Sequence, residues 1–326
     1  MKPLKVVQDQ ELDISQVNML VTTYRFNDFR RYRSVSTTAC KKYLKGIVQE
    51  ALENKAAHSW AAYRGSELVG LSIMVPLHWE STHFGKRMAS LITVIDDSGY
   101  HQTFDSADRL IDKALRYASV EKVHHLNIRV DVEEIAVIHV LEKHGFRMMD
   151  TLLTYAYDKN KTKLPDLQPK YEICPFSPED RNSIVNIAKS SFKNYPNRFN
   201  SDVNIPHEKA HSFYTEWAKN CCNGAMAEEI LVAKRKGQIV AFLAYRRNPA
   251  LLRHTGIPIM GSGLAGFSPL RVNAYYDLML EGLRSYPGLS ADFETHLWNT
   301  TFINIFRHLD FHHVRAKHSF HRWLMD

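Results

Sequence analysis

The chain of 326 residues carries 42 Lys and Arg against 35 Asp and Glu, a net charge of +7, with 44% hydrophobic and 24% charged residues. That balance is globular, not disordered, and the length suits two cores of roughly 160 residues better than one. No apolar run approaches the ~20 residues that cross a bilayer, and the opening MKPLKVVQDQELDIS lacks a signal peptide's apolar core, so a cytoplasmic protein without membrane attachment is expected.

Apolar spacing and turn residues give the elements in chain order. Leu4 to Val7 reads as a strand, followed by helices around Ile14 to Tyr24 and Ala39 to Glu53. Strands at Ser59 to Tyr63 and Leu68 to Met74 precede a loop, Pro76 to Lys86, and a strand, Met88 to Ile95. Leu110, Ile111, Ala114, Leu115 and Ala118 make one face of a helix over Phe104 to Ser119. Strands at His125 to Val130 and Thr151 to Tyr157 flank a helix, Glu133 to Lys143. A polar stretch with two prolines and no periodicity then marks a linker over 159–170, between a first domain at 1–158 and a second at 171–326. In the second, Tyr171 opens a strand, Ser177 caps a helix to Ser190, and Pro206 to Asn220 is a further helix. A hairpin around Gly237, a helix ending near Leu283, a strand from Asp292 to Leu297, a helix after Asn299 and a last strand through Trp323 complete it.

The two halves echo each other. The segment RVDVEEIAVIHVLEKHGF ends in Gly145-Phe146, 165 residues before Phe311, which closes a stretch of the same strand–helix–turn cadence. The hairpins AAYRGSELVGLSIMV and VAKRKGQIVAFLAYR are offset by 171 residues when Val69 is laid on Val240. Two signatures in the same order at nearly the same offset argue for a duplicated unit.

Cys40, Cys174, Cys221 and Cys222 show no metal-ligand spacing, and the pairs His124-His125 and His312-His313 lack the facing geometry of a ligand set, so no metal is expected. Basic residues are scattered, which argues against a nucleic-acid partner. Their densest cluster, Arg25, Arg30, Arg31 and Arg33, is either a solvated face or an attractor for an anionic ligand.

The ending of the chain, ADFETHLWNTTFINIFRHLDFHHVRAKHSFHRWL, resembles the finish of GNAT-superfamily acetyltransferases: a strand, an Asn opening a helix, a turn and a final strand. More narrowly, Arg198, Phe199, Asp202, Pro206, Lys209, Ala210, Tyr214, Trp217 and Asn220 fall on a stretch that resembles the TDP-fucosamine acetyltransferase group. Trp79-Glu80-Ser81 with Phe84-Gly85, and Phe320-His321-Arg322-Trp323, resemble further motifs of that group, although Trp79 and Trp217 each also read as core packing. The resemblance implies an α/β (more strictly α+β) fold of two tandem GNAT units, each a mixed, mostly antiparallel sheet flanked by helices. The first would buttress the second without a cofactor. The second would move an acetyl or other acyl group from acyl-CoA to an amine, with a nucleotide-linked amino sugar as acceptor. A binding module without turnover, or an acyltransferase drawing on acyl-carrier protein, are the alternatives, and an oligomer stays open.

The resemblance also assigns residues. Acyl-CoA would lie along Phe267, Pro269, Leu270, Arg271, Val272, Asn273, Ala274 and Tyr275, beside Asn299 and Phe306. Backbone N–H groups of such a turn and the following helix start suit phosphates. Here Pro269 replaces the family's Arg or Gln and Val272 a key Gly, and only Ala274 fits the pattern. Phe306 stands where the family carries a tyrosine acid, so Tyr275, Tyr276, His296 or water would have to take its part. His296 and Asn299 are the expected catalytic pair, His296 because imidazole exchanges protons near neutral pH; a structural histidine is the other reading. Arg198, Phe199 and His321 are expected at the acceptor pocket.

Overall fold

The computed structural model describes residues 3–8, 12–268, 272–288 and 290–324. Two compact units emerge, and each borrows from the other half of the sequence: one comprises residues 1–31, 35–151 and 316–326, the other 32–34 and 152–315. Residues 152–158 and 316–326, the chain's final strands in each half, are thus exchanged between the two units.

In the first unit, β1 (Leu4–Gln8), α1 (Ile14–Thr23), α2 (Thr37–Glu53), β2 (His58–Arg64), β3 (Glu67–Pro76), α3 (His78–Phe84), β4 (Met88–Ile95), α4 (Tyr100–Val120), β5 (His125–Asp131) and α5 (Ile135–Lys143) follow one another, leading into β6 (Arg147–Asp158). Strands β1 to β4 pair antiparallel in sequence order, β4 pairs parallel with β5, and the chain's last strand, β12 (His312–Trp323), runs antiparallel to β5. The sheet is covered on both faces. Val17, Leu20, Val21 and Val48 of α1 and α2 pack with Ala61, Leu71 and Ile73. Leu110, Ile111 and Ala114 of α4 and Val137, Val140 and Leu141 of α5 pack with Trp60, Leu126 and Ile128. The loop expected at Pro76 to Lys86 contains helix α3, which Gly85 ends at φ 69°, a left-handed conformation that glycine adopts without a Cβ penalty.

The second unit repeats the order: β7 (Glu172–Pro175), α6 (Arg181–Ser191), α7 (His207–Cys222), β8 (Glu229–Arg235), β9 (Gln238–Arg247), α8 (Pro249–Thr255), β10 (Ile259–Phe267), α9 (Val272–Ser285), β11 (Ser290–His296) and α10 (Thr300–His308). β7 to β10 pair antiparallel in order, β10 pairs parallel with β11, and Leu152–Asp158 of β6 runs antiparallel to β11. Ile184, Ile187 and Ala188 of α6 and Ala218 of α7 pack with Val232, Phe242 and Ala244.

Local details repeat as well. Asn27 and Asn197 each accept the backbone N–H two residues on, from Phe29 at 3.1 Å and Phe199 at 2.9 Å. Gly85 and Gly256 end α3 and α8 in the same left-handed conformation. Where α5 ends on Gly145 at φ 72°, α10 ends on Asp310 at φ 58°, so the turn survives the loss of its glycine. Asp is among the residues that tolerate this conformation. Residues 159–170 form no helix or strand, yet they are tied down. Arg284 of α9 donates to the Pro165 and Leu167 carbonyls at 2.9 and 2.8 Å, and Asp277 accepts from the Lys170 and Tyr171 N–H groups at 2.6 and 3.1 Å.

Candidate functional site

The parallel strands of the second unit part company. β10 and β11 are registered at Ile259–Ser290, Met260–Ala291 and Gly261–Asp292, and among the described residues no further pairs join them. Each strand continues, held on its outer side: β10 by β9 as far as Phe267 and β11 by β6 as far as His296. Past those pairs the two strands diverge; the Phe267 N–H and carbonyl are bonded to the Ser191 hydroxyl at 3.2 and 3.0 Å and the His296 carbonyl accepts the Asn299 N–H at 2.9 Å, while the edges of Gly263 to Gly266 and Phe293 to Thr295 are of the kind an extended amide ligand pairs with. A register shift at Gly263 interrupts β10, and a Cβ there would meet the Ala244 carbonyl at 3.0 Å, so glycine is what lets the strands lie this close.

At the end of β11 lies a polar cluster. Asn299 is 7% exposed and caps α10, its Oδ1 accepting the Phe302 N–H at 3.2 Å. That bond turns the amide nitrogen toward Tyr195, whose hydroxyl oxygen it reaches at 3.2 Å. Nδ1 of His296 stands 3.1 Å from the same oxygen. Trp298 completes the group: its ring centroid is 4.9 Å from that of Tyr195, and its indole N–H donates to the Pro196 carbonyl at 3.2 Å. The Tyr195 carbonyl is held by the side-chain amides of Asn197 and Asn200 at 2.8 and 2.9 Å. The structure brings the expected His296 and Asn299 together and adds Tyr195 and Trp298, which sequence reading missed. Trp298 is 46% exposed, so an aromatic edge stands at the mouth of the cluster.

The other expected residues divide. Phe267 ends β10 and Tyr275 lies in the first turns of α9, both packed against Phe302, with centroids 6.0 and 4.2 Å away. Tyr275 is buried, which pushes its phenol well above the ordinary range, and neighbouring Tyr195 adds to the shift. Ala274 is buried and Asn273 exposed. Pro269, Leu270 and Arg271 lie outside the described residues, as does the side chain of Val272. Phe306 is fully buried among Tyr155, Phe293, Phe302 and Phe311. The Arg198 guanidinium covers the Phe199 ring at 4.5 Å, and Phe199 itself is a core residue against Phe213. His321 sits in the first unit's sheet, 1% exposed, its ring 4.4 Å from that of His125.

The first unit has the same strand divergence, with β4 and β5 paired only from Met88–His125 to Leu91–Ile128 among the described residues. Its chemistry differs. At the offset that lays Phe146 on Phe311, Asp131 replaces His296, Glu133 replaces Trp298 and Glu134 replaces Asn299. Arg30 pairs with Asp131 and Glu133, each at 3.2 Å, Arg25 with Asp97 at 3.0 Å, and Arg31 with Glu133. Three of the four clustered arginines are thereby neutralised within the unit.

Glu134 is 8% exposed, accepts from the Tyr24 hydroxyl at 2.6 Å and from the Asp131 N–H at 3.1 Å, and is pushed by burial from 4.5 up to about 7. The native state then binds more protons than the unfolded chain between those two values, so this group costs stability as pH rises through that window. The cost reaches at most ~3 kcal/mol at 1.36 kcal/mol per unit. Burial depresses His312 and His318, which act oppositely, removing stability as pH falls below the ordinary histidine range. Urea melts of wild type and Glu134→Gln from pH 4 to 8 cancel the histidines in the difference. The variant is expected to gain ~1–3 kcal/mol relative to wild type across the range; a constant difference would mean Glu134 titrates normally.

Among known proteins, no family model matches the chain. It is 24% identical over 216 residues to the spore coat polysaccharide biosynthesis protein SpsD of Bacillus subtilis (strain 168), covering 64% of this chain and 69% of that one. Among solved structures, a GCN5-related N-acetyltransferase from Sphaerobacter thermophilus superposes with a TM-score of 0.62 at 12% identity, over 99% of this chain and 97% of that one. A tandem GNAT protein from the clavulanic acid biosynthesis pathway superposes at 0.53 and 13% identity, over 99% and 100%. No described helix is long and apolar enough to cross a membrane. The repeated element order, the two diverging strand pairs and these neighbours together give the conclusion that the chain has the tandem GNAT fold, two units of the fold seen in those solved structures.

Proposed function

We propose that the second unit transfers an acyl group from acyl-CoA to the amine of a small-molecule acceptor, an amino sugar carried on a nucleotide. The observation that carries this reading is the divergence of the β10 and β11 edges past Gly261 and Asp292, which ends at the Tyr195–His296–Asn299 cluster. An acyl-pantetheine arm is an extended chain with two amides, which suits such edges, and its thioester would arrive where a hydroxyl, an imidazole and an amide converge. The phosphates would fall at the start of α9, where the helix dipole favours anions. The sugar acceptor rests on the likeness to a polysaccharide biosynthesis protein, and exposed Trp298 offers a face against which a sugar ring or a base packs. The first unit serves as a buttress without a cofactor, because carboxylates and their arginine partners stand in place of the cluster.

Titration calorimetry with acetyl-CoA should give one site per chain, and ligand at 100 times its Kd should stabilise the protein by ~2.7 kcal/mol. Thiol release from acetyl-CoA in the presence of a nucleotide-linked amino sugar then tests transfer. Binding without release to any amine in a broad panel would favour the binding module, and no binding at all would sink both.

A further inference from the structure

The acyl-transfer reading leaves the departing thiolate without its proton, because the residue expected near it, Phe306, is a buried phenylalanine. We propose that Tyr195, on the loop after α6, supplies that proton and is recharged through His296. This inference rests on the acyl-transfer reading. Its geometric basis is the convergence on the Tyr195 oxygen of the Asn299 amide at 3.2 Å and His296 Nδ1 at 3.1 Å. The amide is oriented by the cap bond to Phe302, so it is Nδ2–H that faces the phenol. With the imidazole proton on Nδ1, both neighbours donate. Two N–H groups then stabilise the negative charge that forms on the oxygen as it gives up its hydrogen.

The steps balance. The neutral amine attacks the thioester carbonyl carbon and a C–N bond forms. As the C–S bond breaks, sulfur takes the Tyr195 proton, and the amine nitrogen loses its proton to His296 Nε2. The proton on Nδ1 passes to the Tyr195 oxygen. Amide and free CoA thiol leave, the phenol is restored, and the imidazole ends neutral in its other tautomer. One histidine thus serves the two ends of the reaction, and no outside base or acid is consumed.

The supporting structure around the phenol is built for position. Tyr195 precedes Pro196, which biases it toward extended backbone. Its carbonyl is gripped by Asn197 and Asn200, and its ring is flanked by Phe192 and Trp298 at 5.4 and 4.9 Å. In the first unit a phenol, Tyr24, bonds Glu134, which replaces Asn299, but Asp131 stands in place of His296, so the imidazole half of the relay is missing there.

The test uses the full chain with acetyl-CoA and a TDP-linked 4-amino-4,6-dideoxyhexose, following thiol release as a function of pH. Tyr195→Phe keeps the ring and its packing and removes only the hydroxyl. It is expected to lower kcat by ~10²–10⁴-fold, to leave the KM for acetyl-CoA within about threefold, and to abolish the alkaline limb of the kcat profile. A purely structural tyrosine would not change that limb. Wild-type kcat and an unaltered pH profile in Tyr195→Phe overturn the assignment. A single-turnover solvent deuterium isotope effect in the wild-type protein is the second measurement, independent of any variant's folding, and its absence also overturns it. Failure of the wild-type protein to release thiol with this and every other amino sugar tried, while acetyl-CoA binds, refutes the acyl-transfer reading itself, and the relay falls with it.

Discussion

Replacing His296 by Gln should lower kcat by ~10²–10⁴-fold, equivalent to ~2.7–5.5 kcal/mol of transition-state stabilisation, with little change in stability. Glutamine has nearly the reach of imidazole and can place an amide near the Tyr195 oxygen, but it cannot accept a proton near neutral pH. His296 lies at the end of β11, where Leu152 on β6 is its last partner, so its backbone is fixed by the sheet whatever its side chain. The ring stacks near Trp298 at 5.9 Å and 26°, and stands edge-on to Tyr195 at 5.2 Å. Removing the ring costs some of that packing, which a thermal melt measures separately. The acid limb of the kcat profile should flatten in the variant. If kcat and the limb are both unchanged, His296 is a packing residue, and the proton acceptor lies elsewhere.

The fold was legible from the sequence because its signals are local. Apolar spacing along α4 and α10, turn glycines at Gly65 and Gly237, and the cadence around Phe146 and Phe311 each occupy a few consecutive residues. The strand exchange was not legible, since nothing in 147–158 or 312–323 announces which strand it will pair with. Short helices α3 and α8 escaped for a related reason: seven residues carry too little periodicity to separate a helix from a loop. At the site, His296 and Asn299 were visible because they sit on the β11–α10 connection that carries the resemblance. Tyr195 was not, because it comes from a loop about a hundred residues upstream, and a Tyr-Pro pair in a loop has no periodic signature. The adjoining Arg198 and Phe199, which carry the resemblance, shape that loop, Phe199 by anchoring it in the core, while Tyr195 is the residue the loop presents to the cluster. The basic cluster likewise needed its partners Asp97, Asp131 and Glu133 in view before its charge could be read as internal.

Truncating Phe306 to Ala should cost the protein ~3–5 kcal/mol, the usual penalty for emptying a buried aromatic site. The ring is fully buried, with Tyr155 at 5.2 Å, Phe311 at 5.4 Å and Phe293 and Phe302 both at 6.3 Å between centroids. It joins α10 to β11 and β6, so its loss loosens the helix that Asn299 caps and, through that cap, the grip on Tyr195. Phe306→Tyr separates packing from chemistry. The ring stays, but a hydroxyl enters an aromatic cluster, and an unsatisfied buried hydroxyl costs ~1–3 kcal/mol. Urea denaturation followed by circular dichroism should therefore rank wild type above Phe306→Tyr and that variant above Phe306→Ala. Thiol release by Phe306→Tyr should not exceed that of wild type, because the added oxygen lies inside the core. A stable Phe306→Tyr variant with raised kcat would mean that its hydroxyl reaches the departing sulfur, and it would take from Tyr195 the reason for its role.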